Sequence, residues 1–547
     1  AVNQDGRSRV PSSRRCGMNA ADDQKIETVG DRSDLNLYLF AAIVAMQYLS
    51  APVIYIGITQ GSLLDQLGAN AVLANLPGAS YFVMATLVAV TAWAFPKVRH
   101  LKPILVTCYG LCGVVIGATA LVLASSAASN ELKIGMVILQ SAVTGATIPT
   151  AIAFIWEVLG RTTESSKRGI ALGLAYGVGP VLAAVGSLVA QLILAGHFEL
   201  GPLRLENEVL SSPLNYALLF ALVSPVMIIA SILSSRFEIP VPDDEVERKP
   251  VKAILDISVA IVVSIIGMAC SLFANLFKEM TSTGESLESI VVESSYRVFS
   301  RLLGVSSPET LASWLMSASS VFMIIAVLLF AYHFRDLLSV RLIRIVALAT
   351  MFFYVTNVIP TNMNLYSRDV LGVDPTEYAG YQNLMRFSFK ALAGLALGWL
   401  LVRTNPRSGV LVTASLFGGA MLWALFATGK AYLLAFGIYG AGELIGVYAP
   451  NYMLSVTSEN QMKRGQVMMN LLMGPVGQMA IVFGWVADTI KESETTLFGL
   501  SPSALGFKTT FVLAIAFLAI GIAITLKYLP RDPKATNCPD PINPDLE

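Results

Sequence analysis

Residues 167–180 read KRGIALGLAYGVGP, and residues 463–475 read KRGQVMMNLLMGP. Each stretch opens on two basic residues and a glycine, continues uncharged, and meets a Gly-Pro pair: from Gly169 to Pro180 is 11 residues, and from Gly465 to Pro475 is 10. A second pair repeats in the same order. Asp65-Gln66-Leu67-Gly68 precedes a basic turn at Lys97, and Asp369-Val370-Leu371-Gly372 precedes one at Arg403. The offsets between the copies, 296 and 304, nearly agree. A shared offset is harder to obtain by chance than any one motif, so the chain reads as two copies of one unit.

Around these anchors the sequence breaks into long apolar runs bounded by charges. A helix needs about 20 apolar residues to cross the hydrocarbon of a bilayer. Six such runs lie at 36–58, 79–96, 103–125, 134–158, 169–195 and 214–235. Six more lie at 344–366, 383–402, 409–428, 431–456, 466–488 and 509–529, with 254–277 and 313–334 between the sets. Runs of this length without strand alternation satisfy their backbone in lipid only as helices. The expected fold class is all-α: a polytopic membrane protein of two six-helix bundles, 34–235 and 344–529, in parallel repeat. An N-terminal tail (1–33), a linker with two extra membrane helices and an outer loop (236–343), and a C-terminal tail (530–547) complete the organisation. Both tails are expected to be unstructured.

Composition agrees. Of 547 residues 55% are hydrophobic and 14% charged, against about 25% charged in an average soluble domain. Lys and Arg total 37, as do Asp and Glu, so there is no basic footprint for nucleic acid. If the N-terminus is cytoplasmic, the inside segments hold 26 Lys and Arg and the outside loops 9. Both termini are therefore placed in the cytoplasm of a cell-membrane protein. The first 33 residues lack an apolar core, so they do not read as a cleavable signal peptide, and Met18 stands as a candidate start. The loop 278–312 carries Leu287, Ile290, Val291, Val298, Phe299 and Leu302 at helical spacing, expected as an amphipathic helix on the outer interface. Cys108 and Cys112, at i,i+4 in an apolar run, read as reduced thiols packed in a helix, with neither metal nor cofactor implied.

The chain at this point resembles the major facilitator superfamily. The resemblance rests on six plus six helices, an Arg-Gly at the mouth of the fifth helix of each half (Arg168-Gly169, Arg464-Gly465) and a Gly-Pro within it. It covers about residues 34–235 and 340–530, the extra pair placing it with fourteen-helix branches. The loop Phe95-Pro96-Lys97-Val98-Arg99-His100-Leu101-Lys102 keeps the family's basic residues and loses its Gly and Asp. Gly179-Pro180-Val181-Leu182-Ala183-Ala184 lacks the later glycines of the drug-antiporter pattern. The subfamily stays open. The resemblance implies alternating access, Arg168 and Arg464 at the conformational gate, and a central cavity lined by the first and fourth helices of each half.

Those four helices carry polar residues at helical spacing: Gln47, Tyr55 and Thr59; Gln140, Thr144 and Thr147; Asn357, Thr361 and Asn364; Tyr439 and Glu443. Apart from boundary residues, the ionisable side chains inside spans are Arg386, Lys390 and Glu443. A mid-membrane charge costs roughly 2.5–3.5 kcal/mol on insertion scales, so each should face protein or water and have a partner. Counting 1.5 Å per residue, Glu443 lies roughly 18 Å from the outer surface and Lys390 roughly 10 Å, close enough to pair, while Arg386 is free to snorkel outward. Glu443 is then a candidate proton carrier.

The expected function is secondary active transport of a small polar solute by a monomer in the bilayer, with protons as a possible second cargo. The chain has no G-x-x-x-x-G-K-[ST] loop for ATP, no H-E-x-x-H, and its three histidines lie at loops or span ends, so an enzyme is not expected. A non-transporting sensor or assembly factor on a transporter scaffold is the rival. The extra pair, uncharged within its spans, is expected to pack outside the transport core.

Overall fold

The computed structural model describes residues 20–163, 175, 178–200, 202–241, 251–282, 290–305, 307–457, 462–493, 496–497, 499–531 and 533. Among them, eleven helices are long and apolar enough to cross a membrane. Three further helices lie where the remaining expected spans fall. The first and fifth include the shorter apolar helices Asp34–Leu49 and Gly179–Ala195, and the eighth (Ala379–Arg403) carries Arg386 and Lys390. Spans are numbered one to six and seven to twelve by half, the inserted pair standing apart.

Several boundaries differ from the sequence reading. The first helix begins at Ala20, inside the segment expected to be an unstructured tail. The second span begins at Ala71, eight residues before the expected 79, because the Asn70 side chain accepts the Leu73 N–H as an N-cap and the helix continues through Pro77. A β-hairpin pairs His197–Leu200 with Leu203–Glu206 between spans five and six. The helix expected within 278–312 is present as Ile290–Leu303. Its Tyr296 and Phe299 pack on Phe277 and Phe273, while Val298 and Leu302 stay exposed. Leu287 lies outside the described residues.

The two Gly-Pro pairs sit at matching places. One helix begins at Gly179 and another at Met473, each beside its Gly-Pro. A proline early in a helix lacks only a donor that would be unpaired anyway. Small residues then bring the halves together. A Cβ on Gly484 would stand 2.7 Å from the backbone of Ala71 and Val72, and one on Gly477 at 2.7 Å from Phe82. Span eleven thus lies directly against span two. Span five meets span eight similarly, Gly380 lying against the backbone of Gln191. Cys108 and Cys112 are free and buried.

The inserted helices Val251–Ser282 and Pro308–His333 pack on each other and present Val262, Ile324 and Leu328 outward. As expected they stand outside the bundles. They do so over the line where the halves meet, touching spans two and eleven. Asp256 and His333 approach to 3.7 Å across the pair.

The alternation of the helices fixes which loops share a side. In a chain whose own cysteines are replaced by serine, a cysteine at Glu208 should be labelled by an impermeant maleimide from outside intact cells, and one at Arg236 only after permeabilisation. The opposite pattern would invert the orientation drawn from the basic residues.

Candidate functional site

Three of the four spans expected to line the centre are broken along their length. In the first, helix ends at Ile54 and resumes at Ile58, with Gly57 at φ +139° where only glycine sits without strain. Gln60 satisfies the exposed backbone there: its Nε2 donates to Val53 O (2.7 Å) and its Oε1 accepts the Gly57 N–H (3.4 Å). The seventh span passes through a 3-10 turn, Val355–Val358, before Pro360 opens its outer helix. The tenth breaks at Glu443 and Leu444, between Leu434–Gly442 and Ile445–Val456. The fourth, Asn130–Thr162, runs unbroken.

The break in span ten places Glu443 against span eight. Its Oε2 accepts from Arg386 Nε (3.0 Å) and Lys390 Nζ (3.4 Å), and its Oε1 from Arg386 Nη2 (2.5 Å). Side-chain exposure is 5% for Arg386, 10% for Glu443 and 18% for Lys390. The sequence pattern GIYGAGE makes this approach feasible. Gly440 lies against the backbone carbonyl of Arg386, and a Cβ on Gly437 would stand 2.9 Å from the Phe389 ring. Aromatic rings enclose the charges. Arg386 lies 5.4 Å from the Phe387 ring and 5.8 Å from Tyr439, and Lys390 lies 5.8 Å from Tyr55. Tyr439 donates to Asn357 O (3.2 Å), tying the tenth span to the break of the seventh.

Lys390 does pair with Glu443, but Arg386 is its principal partner. The expectation that Arg386 snorkels outward is corrected, because the glycine face of span ten lets the guanidinium lie flat on the carboxylate.

The polar stripes divide. Tyr55 and Asn357 are partly exposed near the charges. Gln47 accepts from Tyr109 (3.3 Å) and packs inside its own half. Gln140 donates to Thr144 (2.9 Å), which faces Cys112; both are fully buried in the N-terminal bundle, and Thr147 bonds its own helix. Thr361 and Asn364 donate to Gly57 O and Ile58 O (3.3 and 3.2 Å), joining spans seven and one. Arg168 lies outside the described residues. Arg464 lies within the helix Met462–Leu471, whose backbone alone is described there.

The sequence reading missed the residues that latch the halves. Asp488 accepts the Ala71 and Val72 N–H groups (3.1 and 2.9 Å), and Asn75 donates to Asn362 (2.6 Å). Gln191 bonds Glu377 O and the Tyr381 N–H. Arg368 pairs with Asp65, and Gln66 donates to Asp374 and Thr376. Burial alone would raise the Asp374 carboxyl, but the Thr376 N–H and hydroxyl, Gln66 and Arg368 hold it below its ordinary value. These contacts between the halves lie on the side of the Arg386–Glu443 pair that carries the turns at Gly68 and Gly372. Signals existed for Asn75, Asn362 and Asp488, as polar residues in or beside apolar runs.

No family model and no curated protein matches this chain. Solved structures share its fold. It is similar to a D-xylose–proton symporter, with 10% identity over 91% of this chain and 99% of that one and a TM-score of 0.57. It is similar to an autoinhibited POT-family peptide transporter at 13% identity over 91% and 98%, with a TM-score of 0.55. A mutant of the nucleoside transporter NupG aligns at 10% identity over 90% and 99%, with a TM-score of 0.53. The chain is thus a polytopic membrane protein with the major facilitator fold that the resemblance implied.

Removing one member of a buried pair leaves the other uncompensated, at about 3–5 kcal/mol. Glu443→Gln should therefore lower the melting temperature of the purified protein markedly. Adding Lys390→Met should recover little, and adding Arg386→Met most of the loss. Full rescue by Lys390→Met would make the lysine the main partner.

Gly440→Ala forces spans eight and ten apart at Arg386, an overpacking expected to cost about 1–3 kcal/mol. A melting curve indistinguishable from wild type would show that the approach of the two spans is not tight there.

Proposed function

We propose that this protein is a secondary active transporter of a small polar solute, driven by protons, whose halves rock about a site at Arg386, Lys390 and Glu443. The observation that carries the reading is three opposing charges buried at mid-depth beside three broken helices. Discontinuous helices at the interface of two repeats supply ligand and ion sites in secondary transporters. The solved structures most like this chain include a proton symporter for D-xylose, and transporters of peptides and of nucleosides.

The named latches between the halves close the site on the side we assign to the outside, and Lys390, Tyr55 and Asn357 are partly exposed at the site. Opening outward requires the Asp65–Arg368, Asp488, Gln191 and Asn75 contacts to part together. Glu443 is the proton carrier. Its protonation removes the charge that holds Arg386 and Lys390. Arg168 and Arg464 form the cytoplasmic gate, closing as the outer latches open. Cavity walls come from Tyr55, Asn357 and Tyr439, with Gln47, Gln140, Thr144, Thr361 and Asn364 behind them. The protein acts as a monomer in the cell membrane, both termini cytoplasmic.

The test is uptake into proteoliposomes of labelled sugars, nucleosides, dipeptides and small organic acids, with and without an inward proton gradient. Accumulation should require the gradient and collapse with a protonophore, and Glu443→Asp should shift its pH dependence while exchange persists. Accumulation indifferent to the proton gradient would remove Glu443 as proton carrier. Binding of a solute with no uptake of it would favour a sensor.

A further inference from the structure

The charges at the site do not cancel. Arg386 and Lys390 bring two positive charges and Glu443 one negative. Among the described residues, Glu443 is the only carboxylate paired with Arg386 or Lys390, and the rings beside them are the neutral Tyr55, Phe387 and Tyr439. One positive charge is left over. Its donors are also left over: Glu443 covers the Nε and Nη2 edge of the guanidinium, and Arg386 Nη1 is buried with no partner. Lys390 spends one long contact on Glu443 and has further N–H groups to give. Three and four residues before Arg386, on the same helical face, Asn383 Oδ1 and both amide atoms of Gln382 are buried without partners too.

Buried polar groups in folded proteins are nearly all paired, and an orphaned charged donor is among the costliest exceptions. A ligand that satisfies this set carries one negative charge, on oxygens that accept from Arg386 Nη1 and Lys390. It presents hydroxyl or amide groups to Asn383 and Gln382. With Glu443 ionised, a neutral sugar or nucleoside would leave the extra charge in place, and a dianion would reverse it. Arg386 Nε and Lys390 Nζ both reach Glu443 Oε2, so the two cations stand side by side at one site. We infer that the solute is a small organic monoanion of the hydroxy- or amido-monocarboxylate class. This rests on the reading of Arg386, Lys390 and Glu443 as the transport site.

The test is thermal melting of the purified full chain with a panel of hydroxy- and acylamino-monocarboxylates, each beside its neutral amide and methyl ester at matched ionic strength. At least one acid should raise the melting temperature where its amide and ester do not. Lys390→Gln, which leaves the Arg386–Glu443 pair balanced, should weaken that acid's apparent binding about tenfold or more. Without ligand, the same variant should melt no lower than wild type. The inference is overturned if no acid exceeds its amide, if neutral sugars, nucleosides or dipeptides stabilise more than any acid, or if ligand-free Lys390→Gln melts lower. Acid-selective binding without uptake would sink the transport reading and keep this one. Gradient-driven uptake of a neutral solute would do the reverse.

Discussion

Burying Arg386, Lys390 and Glu443 at mid-depth is the constraint from which the rest of the C-terminal half follows. A lone charge there would be hydrated by deforming its surroundings or neutralised. Hydrogen-bonded pairing avoids both, and it demands that spans eight and ten approach within a side chain's reach. Gly437 and Gly440 remove the Cβ atoms that would hold Phe389 and the Arg386 backbone away. Ending a helix at Gly442 then turns the Glu443 carboxylate toward span eight. Tyr439, one turn earlier, fills the space beside Arg386 and reaches Asn357 O. The break in span ten is thereby tied to the break in span seven.

The strength of the polar contacts is distributed unevenly, and the distribution suits a molecule that must come apart along one surface only. Within the C-terminal half, the Arg386–Glu443 pair is buried and doubly bonded. Between the halves the contacts are mostly single bonds from a side chain to a backbone group, each worth a net 0.5–1.5 kcal/mol or so. The Asp65–Arg368 pair is half-exposed on its arginine side, where ion pairs contribute about 0–1 kcal/mol. Water can replace these bonds one for one, but inside a half it cannot do so without stranding a charge, which supports the proposed rocking of two rigid halves.

The fold was legible because its signals are long. Spans of twenty apolar residues, their count and the duplicated Lys-Arg-Gly to Gly-Pro anchors all survive local irregularity. The site was legible in part. Charge inside an apolar run singled out Arg386, Lys390 and Glu443, but helical spacing alone assigned the wrong principal partner. Depth along an ideal helix favours Lys390, whereas the partner is decided by the glycines of span ten, a packing effect between helices. Span breaks were illegible for a related reason. Gly57 and the Glu443–Leu444 turn look like ordinary members of apolar runs, and only the tertiary bonds of Gln60 and Tyr439 show that helix is interrupted. Asn75 and Asp488 were lost to boundary placement, since a start at 79 put the first outside its span and Asp488 was taken as a helix end.

The halves also differ in what they bring to the centre. All the charge comes from the C-terminal half, while the N-terminal half offers the Tyr55 ring, stacked on Tyr48 and set edge-on to Phe387. An aromatic face attracts Lys390 without neutralising it, so it steadies the cation and leaves its charge available. A charged partner at Tyr55 would cancel the excess on Lys390 and weld the halves together with a buried ion pair, at a cost of several kcal/mol each time they separated. By supplying rings and single hydrogen bonds instead of a carboxylate, the N-terminal half covers the site without a buried ion pair to it, as the proposed rocking of the halves requires.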